Sequence, residues 1–352
     1  MESLILSKTS LPNLHPAMVH FPIALLLVAL LIDIASLILS REWLHKTAIL
    51  IYLLGAAAAG LTFWSGRSAA ESVELSAGVE AVLSRHEDFA TFTLWFFGIY
   101  AVIRFLIQFA AYKRWAHAVI IVMSIAGQAL LIQTADLGGT LVYRHAVAVT
   151  PPANDQRKPH QVQAAAGPVI EGNDFTWNFG PGSETRFVEF FDSGGASIKS
   201  RTEKIDGRTV LTIEKSVPEP LLLTFKTATY SDVQIEIEMD LSGLYGAVSL
   251  VHHVNNKDND FLTIEKTSME LGRHSADGRN SFGKATAAIP AGWNRFKAVA
   301  AGTHFRGYLN GNLIVHGHGT TAPEGKAGLL LDGTGILKIT TISITVLHEQ
   351  PH

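Results

Sequence analysis

Residues 15–38 read HPAMVHFPIALLLVALLIDIASLI, an apolar run with two histidines and two prolines at its front edge. At about 1.5 Å per residue such a helix is roughly 35 Å long, which is enough to cross a bilayer. A helix that serves only as a membrane anchor has no need for His15 and His20 at that edge. The stretch therefore predicts a spanning helix with a polar site at one face of the membrane.

The composition excludes several kinds of site and partner. The formal net charge is -3 over 352 residues, which argues against a nucleic-acid partner because such partners select a basic face. The sequence has no cysteine, which excludes disulfides, iron–sulfur ligation and the covalent attachment of c-type haem. Any metal or haem must therefore be held by histidine, methionine or carboxylate side chains.

Three further apolar runs, at 47–66, 89–111 and 115–135, predict three more spanning helices, and the polar segment 68–85 predicts a helix lying on the membrane surface. Positive charges mark the two short loops between spans: Arg41, Lys46, Lys113 and Arg114. Such loops face the cytoplasm. We expect a multi-pass protein of the bacterial inner membrane, with both termini extracytoplasmic.

The character of the chain changes after the fourth run. Residues 1–150 form the predicted four-helix transmembrane domain, residues 151–183 are rich in Pro, Gly, Ala and Asn and predict a linker, and residues 184–352 show a β pattern. Apolar residues alternate with polar ones over 233–239, as in a strand with one face on a core. Asn310-Gly311 between two apolar runs predicts a hairpin with a type I′ turn. The third region therefore predicts an extracytoplasmic β-sandwich.

The predicted topology brings four histidines to the outer side of the membrane: His15, His20, His86 and His145. His20 and His86 would lie on different helices, where two imidazoles can ligate a haem b iron axially or supply ligands to Cu or Zn. His20 is the preferred single candidate because an unpaired imidazole inside an apolar run is costly. His15 and His145 are alternate ligands or supporting groups.

Tyr143 and Asp136 are nearby candidates to support those ligands through hydrogen bonds. The alternative is that the histidines only cap helices or lie in the headgroup layer. Asp33 is a carboxylate within the first run, and pairing with Arg104 at comparable depth in the third run is the simplest explanation for both charges. In the β region, Asp258 and Asp260 are candidate Ca²⁺ ligands, because Ca²⁺ prefers oxygen donors.

The first region resembles a family of predicted membrane proteins, domain-of-unknown-function family 2231. The resemblance covers roughly residues 12–150 and lies in HPAMVHFPIALL (15–26), His86 and GGTLVYRHAVAV (138–149). The family usually has glycines where this chain has Ala146 and Ala148. The resemblance implies a four-helix module, often fused to cytochrome-like or other periplasmic domains, with His20, His86 and His145 at motif positions.

The β region is similar to concanavalin A-like lectin/glucanase sandwiches, including the 3-keto-disaccharide hydrolase type. The similarity lies in AGWNRFKAVAAGTHFRGYLNGNLIVHG (291–317) and GKAGLLLDGTGILKITTISITV (325–346). These residues imply a fold, an all-β jelly-roll sandwich after an all-α transmembrane bundle. They do not imply a substrate, because function on this fold depends on the site each protein carries.

The leading functional prediction is an integral membrane electron-transfer subunit with haem b, or else Cu or Zn, near the outer face, working with quinone or a partner cytochrome. The sandwich would dock other membrane or periplasmic subunits, or bind glycan. One alternative is an accessory subunit of a larger membrane complex. Another is a glycoside-processing enzyme tethered to the membrane by the bundle.

Overall fold

The structure is a computed structural model that describes residues 14–71, 75, 77–109, 114–145, 147, 164–196, 198–226, 228–256 and 258–347. It divides into two compact units. One comprises residues 1–73 and 85–151 and is helical. The other comprises residues 152–352 together with 74–84 and is built mainly from strands.

The helical unit contains a short helix α1 (His15–Met18), followed by α2 (His20–Leu39), α3 (Glu42–Glu71), α4 (Ala77–Ile107) and α5 (Arg114–Tyr143). Within the described residues, four helical segments are long and apolar enough to cross a membrane: 15–39, 42–71, 78–107 and 117–143. This confirms the predicted four spans. The predicted surface helix over 68–85 is instead divided, because α3 continues to Glu71 and α4 begins at Ala77.

Small and aromatic residues pack the interior of the helical unit. Gly55 of α3 lies against Leu26 of α2, where an added Cβ would come within 2.7 Å of the leucine side chain. The hydroxyl groups of Tyr52 and Ser124 lie 2.6 Å apart, and the Gln128 amide donates to the Leu26 carbonyl at 3.1 Å. Close packing and a few satisfied polar contacts, rather than the hydrophobic effect, hold helices together in lipid.

The β unit is an antiparallel sandwich. Its strands are β1 (Val169–Glu171), β2 (Asp174–Asn178), β3 (Phe191–Asp192), β4 (Lys199–Ile205), β5 (Arg208–Lys215), β6 (Leu221–Phe225), β7 (Val233–Asp240), β8 (Leu244–Asn255), β9 (Asp258–Ile264), β10 (Ser268–Ser275), β11 (Gly278–Thr286), β12 (Trp293–Ala301), β13 (His304–Leu309), β14 (Asn312–His318) and β15 (Lys326–Val346). A helix α6 (Ser183–Phe190) precedes β3. The main strand order is β11-β10-β9-β8-β15-β7-β12-β13-β14.

Strand β15 organises the sandwich. It pairs with β8 and β6 through its first half and with β7, β5 and β2 further on. Gly333 and Gly335 have positive φ angles of 116° and 125°, a conformation that L side chains rarely adopt. The two glycines therefore let one strand serve both parts of the sheet.

Two details of the β pattern are confirmed. Val233, Ile235, Ile237 and Met239 are fully buried in the core. Asn310 and Gly311 both have positive φ, at 50° and 85°, as a type I′ turn requires. The range predicted as a linker differs, because residues 169–178 form the β1–β2 hairpin. There Phe175 and Trp177 alternate with polar neighbours and enter the core, a short pattern that the surrounding Gly and Asn residues obscure.

Candidate functional sites

His15 and His86 occupy equivalent environments in the helical unit. The Nδ1–H of His15 donates to the Thr62 carbonyl oxygen at 3.1 Å, and the Nδ1–H of His86 donates to the Thr134 carbonyl oxygen at 3.0 Å. Both rings are half-buried, and they lie close enough to interact electrostatically. The structure therefore brings together two of the four predicted histidines.

A glycine one helical turn after each of these carbonyls leaves the space that the histidine ring needs in order to reach it. An added Cβ at Gly66 would lie 2.9 Å from Cε1 of His15, and one at Gly138 would lie 3.2 Å from Cε1 of His86. Thr62 and Thr134 each stand four residues before the glycine, so the ring approaches the carbonyl over a bare stretch of backbone. Any larger residue at either glycine would push the imidazole away.

Pro22 fixes the first of these environments. A proline has no N–H to offer to the carbonyl four residues earlier, which here is that of Met18. The Met18 carbonyl instead accepts the Thr62 hydroxyl at 3.1 Å. Pro22 thus leaves the Met18 carbonyl of α1 free to accept a hydrogen bond from the turn of α3 that also contacts His15.

An offset of about 71 residues relates the two environments. His15 and Thr62 are 47 residues apart, and His86 and Thr134 are 48 apart. Asp33 and Arg104, separated by 71 residues, contact each other, as do Tyr52 and Ser124, separated by 72. When two repeats are related by a two-fold axis, corresponding residues that lie beside the axis contact each other. The contacts between residues 71 or 72 positions apart therefore indicate that the helical unit is a pair of two-helix repeats.

The other predicted candidates have different surroundings. The His20 side chain is exposed at the start of α2, and His145 is half-buried in the turn after α5. Neither has a histidine at the corresponding position of the other repeat, where Thr91 and Val73 stand. Tyr143 and Asp136 are also exposed. Helix carbonyls, rather than these two side chains, orient His15 and His86.

A second polar cluster lies within the helical unit. Arg104 donates to Oδ1 of Asp33 at 2.6 Å, and both side chains are almost fully buried, so the expected Asp33–Arg104 pair is present. Nε2 of His117 lies 3.0 Å from the same oxygen, and the His45 and His117 rings are 4.7 Å apart. These histidines are corresponding positions of the two repeats, and the sequence interpretation had assigned them no role.

A third cluster surrounds Asp260 in the sandwich. Arg273 donates to both oxygens of Asp260, at 2.5 and 2.9 Å. His253 donates from Nδ1 to Asp260 at 2.8 Å and from Nε2 to the Ser231 carbonyl at 2.7 Å. Both ring nitrogens of His253 are therefore engaged with oxygen atoms.

The expected Ca²⁺ site at Asp258 and Asp260 does not fit this arrangement. Burial alone would raise the pKa of Asp260, but the hydrogen bonds from His253 and Arg273 outweigh it and lower the pKa to about 2. The carboxylate is already paired with Arg273 and hydrogen-bonded to His253, whereas Asp258 is exposed. A Ca²⁺ ion would have to displace Arg273, and like charges oppose its approach.

His252 next to this cluster is neutral. Burial and the charge of His253 lower the pKa of His252 to about 3. Its Nδ1 faces Nδ1 of His253 at 3.1 Å, and its ring stacks on Phe305 at 6.0 Å. The structure places both His252 and His253 in the interior of the sandwich.

Comparison with known proteins gives one family and a fold. Residues 11–151 match the family described as "Predicted membrane protein (DUF2231)". No curated protein matches the sequence. Among solved structures, the carbohydrate-binding module CBM66 from Bacillus subtilis shares 15% identity over 43% of this chain and 94% of its own, with a TM-score of 0.36.

Two further structures give similar values. A protein of unknown function from Shewanella oneidensis MR-1 shares 14% identity over 54% of this chain and 92% of its own, with a TM-score of 0.38. A β-glucanase from Bacillus licheniformis shares 11% over 44% and 92%, with a TM-score of 0.33. With identities of 15% or less and TM-scores below 0.5, these similarities carry no conclusion about this chain. The N-terminal part of this chain, residues 11–151, is a domain of the DUF2231 family of predicted membrane proteins.

Proposed function

We propose that the helical domain is an electron-transfer module that holds a haem b iron, or a bare Cu ion, between His15 and His86; a Zn ion in the same place would be structural, because Zn²⁺ has no redox chemistry. The observation that supports this is the matched pair of hydrogen bonds from Nδ1 to the Thr62 and Thr134 carbonyls. A neutral imidazole that donates from Nδ1 keeps an available lone pair on Nε2. Histidine ligands in metal sites are oriented in this way by a carbonyl or carboxylate.

The repeat relation favours His15 and His86 over the combination of His20 with His86. A metal ion on the axis between two repeats takes its two ligands most simply from equivalent positions. His15 and His86 are equivalent in this sense, whereas His20 and His86 are not. Gly66 and Gly138, again equivalent, leave each ring its place. His20 and His145 then become additional donors from the same end of the domain.

Haem b is the preferred group because of the number of donors. Porphyrin nitrogens fill four positions of the iron, so two imidazoles complete its coordination. A bare Zn or Cu ion needs about four ligands in all, so His20 and His145 would both have to join. When bound, the iron would supply one-electron chemistry, and the chain would supply two oriented imidazoles and an apolar surround that sets its potential.

The proposed cellular setting follows from the same elements. Two-helix repeats cross a membrane an even number of times, which puts His15 and His86 at the same face. The positive loops around Arg41 and Lys113 support the proposal that this face lies outside, in the bacterial inner membrane. Quinone or a cytochrome would exchange electrons there. The sandwich would then dock a protein partner or a glycan.

The test is a reduced-minus-oxidised absorption spectrum of the detergent-purified full chain, with metal analysis of the same sample. A b-type spectrum with one iron per chain is the expected result. A flat spectrum with stoichiometric Cu or Zn that is lost in His15→Ala and His86→Ala would move the site to a bare ion. A flat spectrum without metal would contradict the proposal and favour an accessory subunit of a membrane complex.

A further inference from the structure

The β13–β14 hairpin carries three histidines on one face. Its register pairs His304 with His318 and Arg306 with His316. Phe305 and Val315, which point the opposite way, belong to the sandwich core. Because side chains alternate between faces along a strand, His304, His316 and His318 share the face that is turned away from that core.

The three imidazoles converge. Their ring centroids are 5.8 Å apart for His304 and His316, 4.7 Å for His304 and His318, and 4.8 Å for His316 and His318. One ring nitrogen from each lies within 4.8 Å of the other two. Three ligands at the usual Zn–N bond length around a tetrahedral ion are about 3.4 Å apart. Small rotations of the rings therefore suffice to bind one ion.

The glycines of the HGHG sequence (316–319) explain why the histidines stand where they do. An added Cβ at Gly317 would lie 2.6 Å from the Phe282 carbonyl oxygen, and one at Gly319 would lie 2.7 Å from the Phe282 ring. The inward positions 317 and 319 must therefore be glycine, because Phe282 of β11 packs against them. The alternate positions then carry His316 and His318 outward to meet His304.

A cleft adjoins this cluster. Its volume is about 480 Å³, and its lining includes His318, Arg273, Arg279, Phe282 and Thr320. Three histidines with the fourth position left for water or substrate form the ligand set of a catalytic zinc ion. His318 is the residue that belongs to both the cluster and the cleft, so a molecule in the cleft can reach the fourth position.

We propose that His304, His316 and His318 bind one Zn²⁺ ion whose open coordination position faces this cleft. The ligand that completes the site is an oxygen-rich molecule, because the cleft is lined by polar groups that include Ser275, Asn280 and Thr320. This site consists only of residues of the sandwich and is independent of the proposed site in the helical domain. It requires no thiolate, in keeping with a chain without cysteine.

The test is a titration of the metal-free full chain in detergent with Zn²⁺ by calorimetry, and with Co²⁺ by its visible absorption. Both are performed in the His15→Ala/His86→Ala background, so that an ion bound by the helical domain does not contribute. We expect one Zn²⁺ per chain. Single changes His304→Gln, His316→Gln and His318→Gln should each weaken binding by about a hundredfold or more.

The control is His274→Gln, an exposed histidine on β10 of the same sandwich, which should bind Zn²⁺ as the parent does. Circular dichroism verifies that each variant is folded. Binding that is absent in the parent, or unchanged when His316 and His318 are replaced together, would overturn the proposal. A positive result here, together with a flat haem spectrum and no additional metal when His15 and His86 are intact, would support this site and reject the other.

Discussion

The histidines of the two units differ in the hydrogen bonds that their ring nitrogens make. His15 and His86 of the helical unit each donate from Nδ1 to a backbone carbonyl, which leaves Nε2 in the deprotonated form that binds metals. His253 of the sandwich donates from both nitrogens, to Asp260 and to the Ser231 carbonyl. In this geometry neither nitrogen of His253 is open to a metal. The partner of the second ring nitrogen therefore distinguishes His253 from the two proposed ligands.

The same comparison applies to the buried carboxylates. Asp33 and Asp260 each lie with one arginine and two histidines. In the helical unit the Asp33–Arg104 pair joins corresponding positions of two repeats, so it also fixes how the repeats meet. In the sandwich Asp260 joins β9 to Arg273 of β10, on the neighbouring strand. We therefore expect that removing the Asp260 carboxylate lowers the stability of the sandwich and does not change the ligands of either proposed metal site.

The largest effect is expected from Asp260→Asn. The change leaves Arg273 without its counter-charge and removes the carboxylate that His253 contacts, and breaking a buried ion pair costs about 3–5 kcal/mol. Arg273 is 21% exposed, so water compensates in part and we expect about 3 kcal/mol, at the lower end of that range. Urea unfolding of the full chain, followed by the β signal in circular dichroism, measures it.

Asp206→Asn is the matched control. Asp206 is an exposed residue in the turn between β4 and β5, with a positive φ of 51° that asparagine tolerates equally well. Its free energy of unfolding should stay within about 0.5 kcal/mol of the parent. An equal loss in both variants would mean that the Asp260 network does not carry the stability assigned to it.

A smaller effect is expected from pH through His252. Its pKa falls from 6.5 to about 3 on folding, so between these values the unfolded chain binds more protons than the folded chain. The stability that neutral His252 contributes is therefore complete above pH 6.5 and declines as the pH falls. The decline amounts to about 2 kcal/mol by pH 5.

His252→Phe removes the titrating group while keeping a ring that can stack on Phe305. We expect the free energy of unfolding of this variant to change less between pH 7 and pH 5 than that of the parent. Parallel pH profiles for the two proteins would show that another group governs the acid response. Denaturant unfolding at several pH values makes the comparison, with constant ionic strength throughout.

The fold was largely predictable because its signals are long and periodic. Apolar runs of helix length identified the spans, and alternation with an Asn-Gly turn identified the sandwich. The Asp33–Arg104 pair was also predictable, since a lone charge in an apolar helix needs a partner. The short β1–β2 hairpin escaped because three to five residues between glycines give little periodicity.

The choice among the histidines was harder to predict. Position within the apolar run favoured His20, which the structure leaves exposed, because the run shows depth but not which face of the helix looks inward. The repeat that singles out His15 and His86 is hidden by unlike partners, such as Asp33 with Arg104. The shared spacing of His15 and Thr62 with His86 and Thr134 was the signal that could have found it. The HGHG sequence offered a similar signal for the sandwich.

The central claim is that His15 and His86 are the ligands of one metal or haem in the helical domain. The most direct measurement compares bound iron, copper and zinc, together with the absorption spectrum, in His15→Ala, His86→Ala, His20→Ala and His274→Ala. The account predicts loss of the group in the first two variants, retention in His274→Ala and, if the group is haem, retention in His20→Ala. Full occupancy in either His15→Ala or His86→Ala would contradict it.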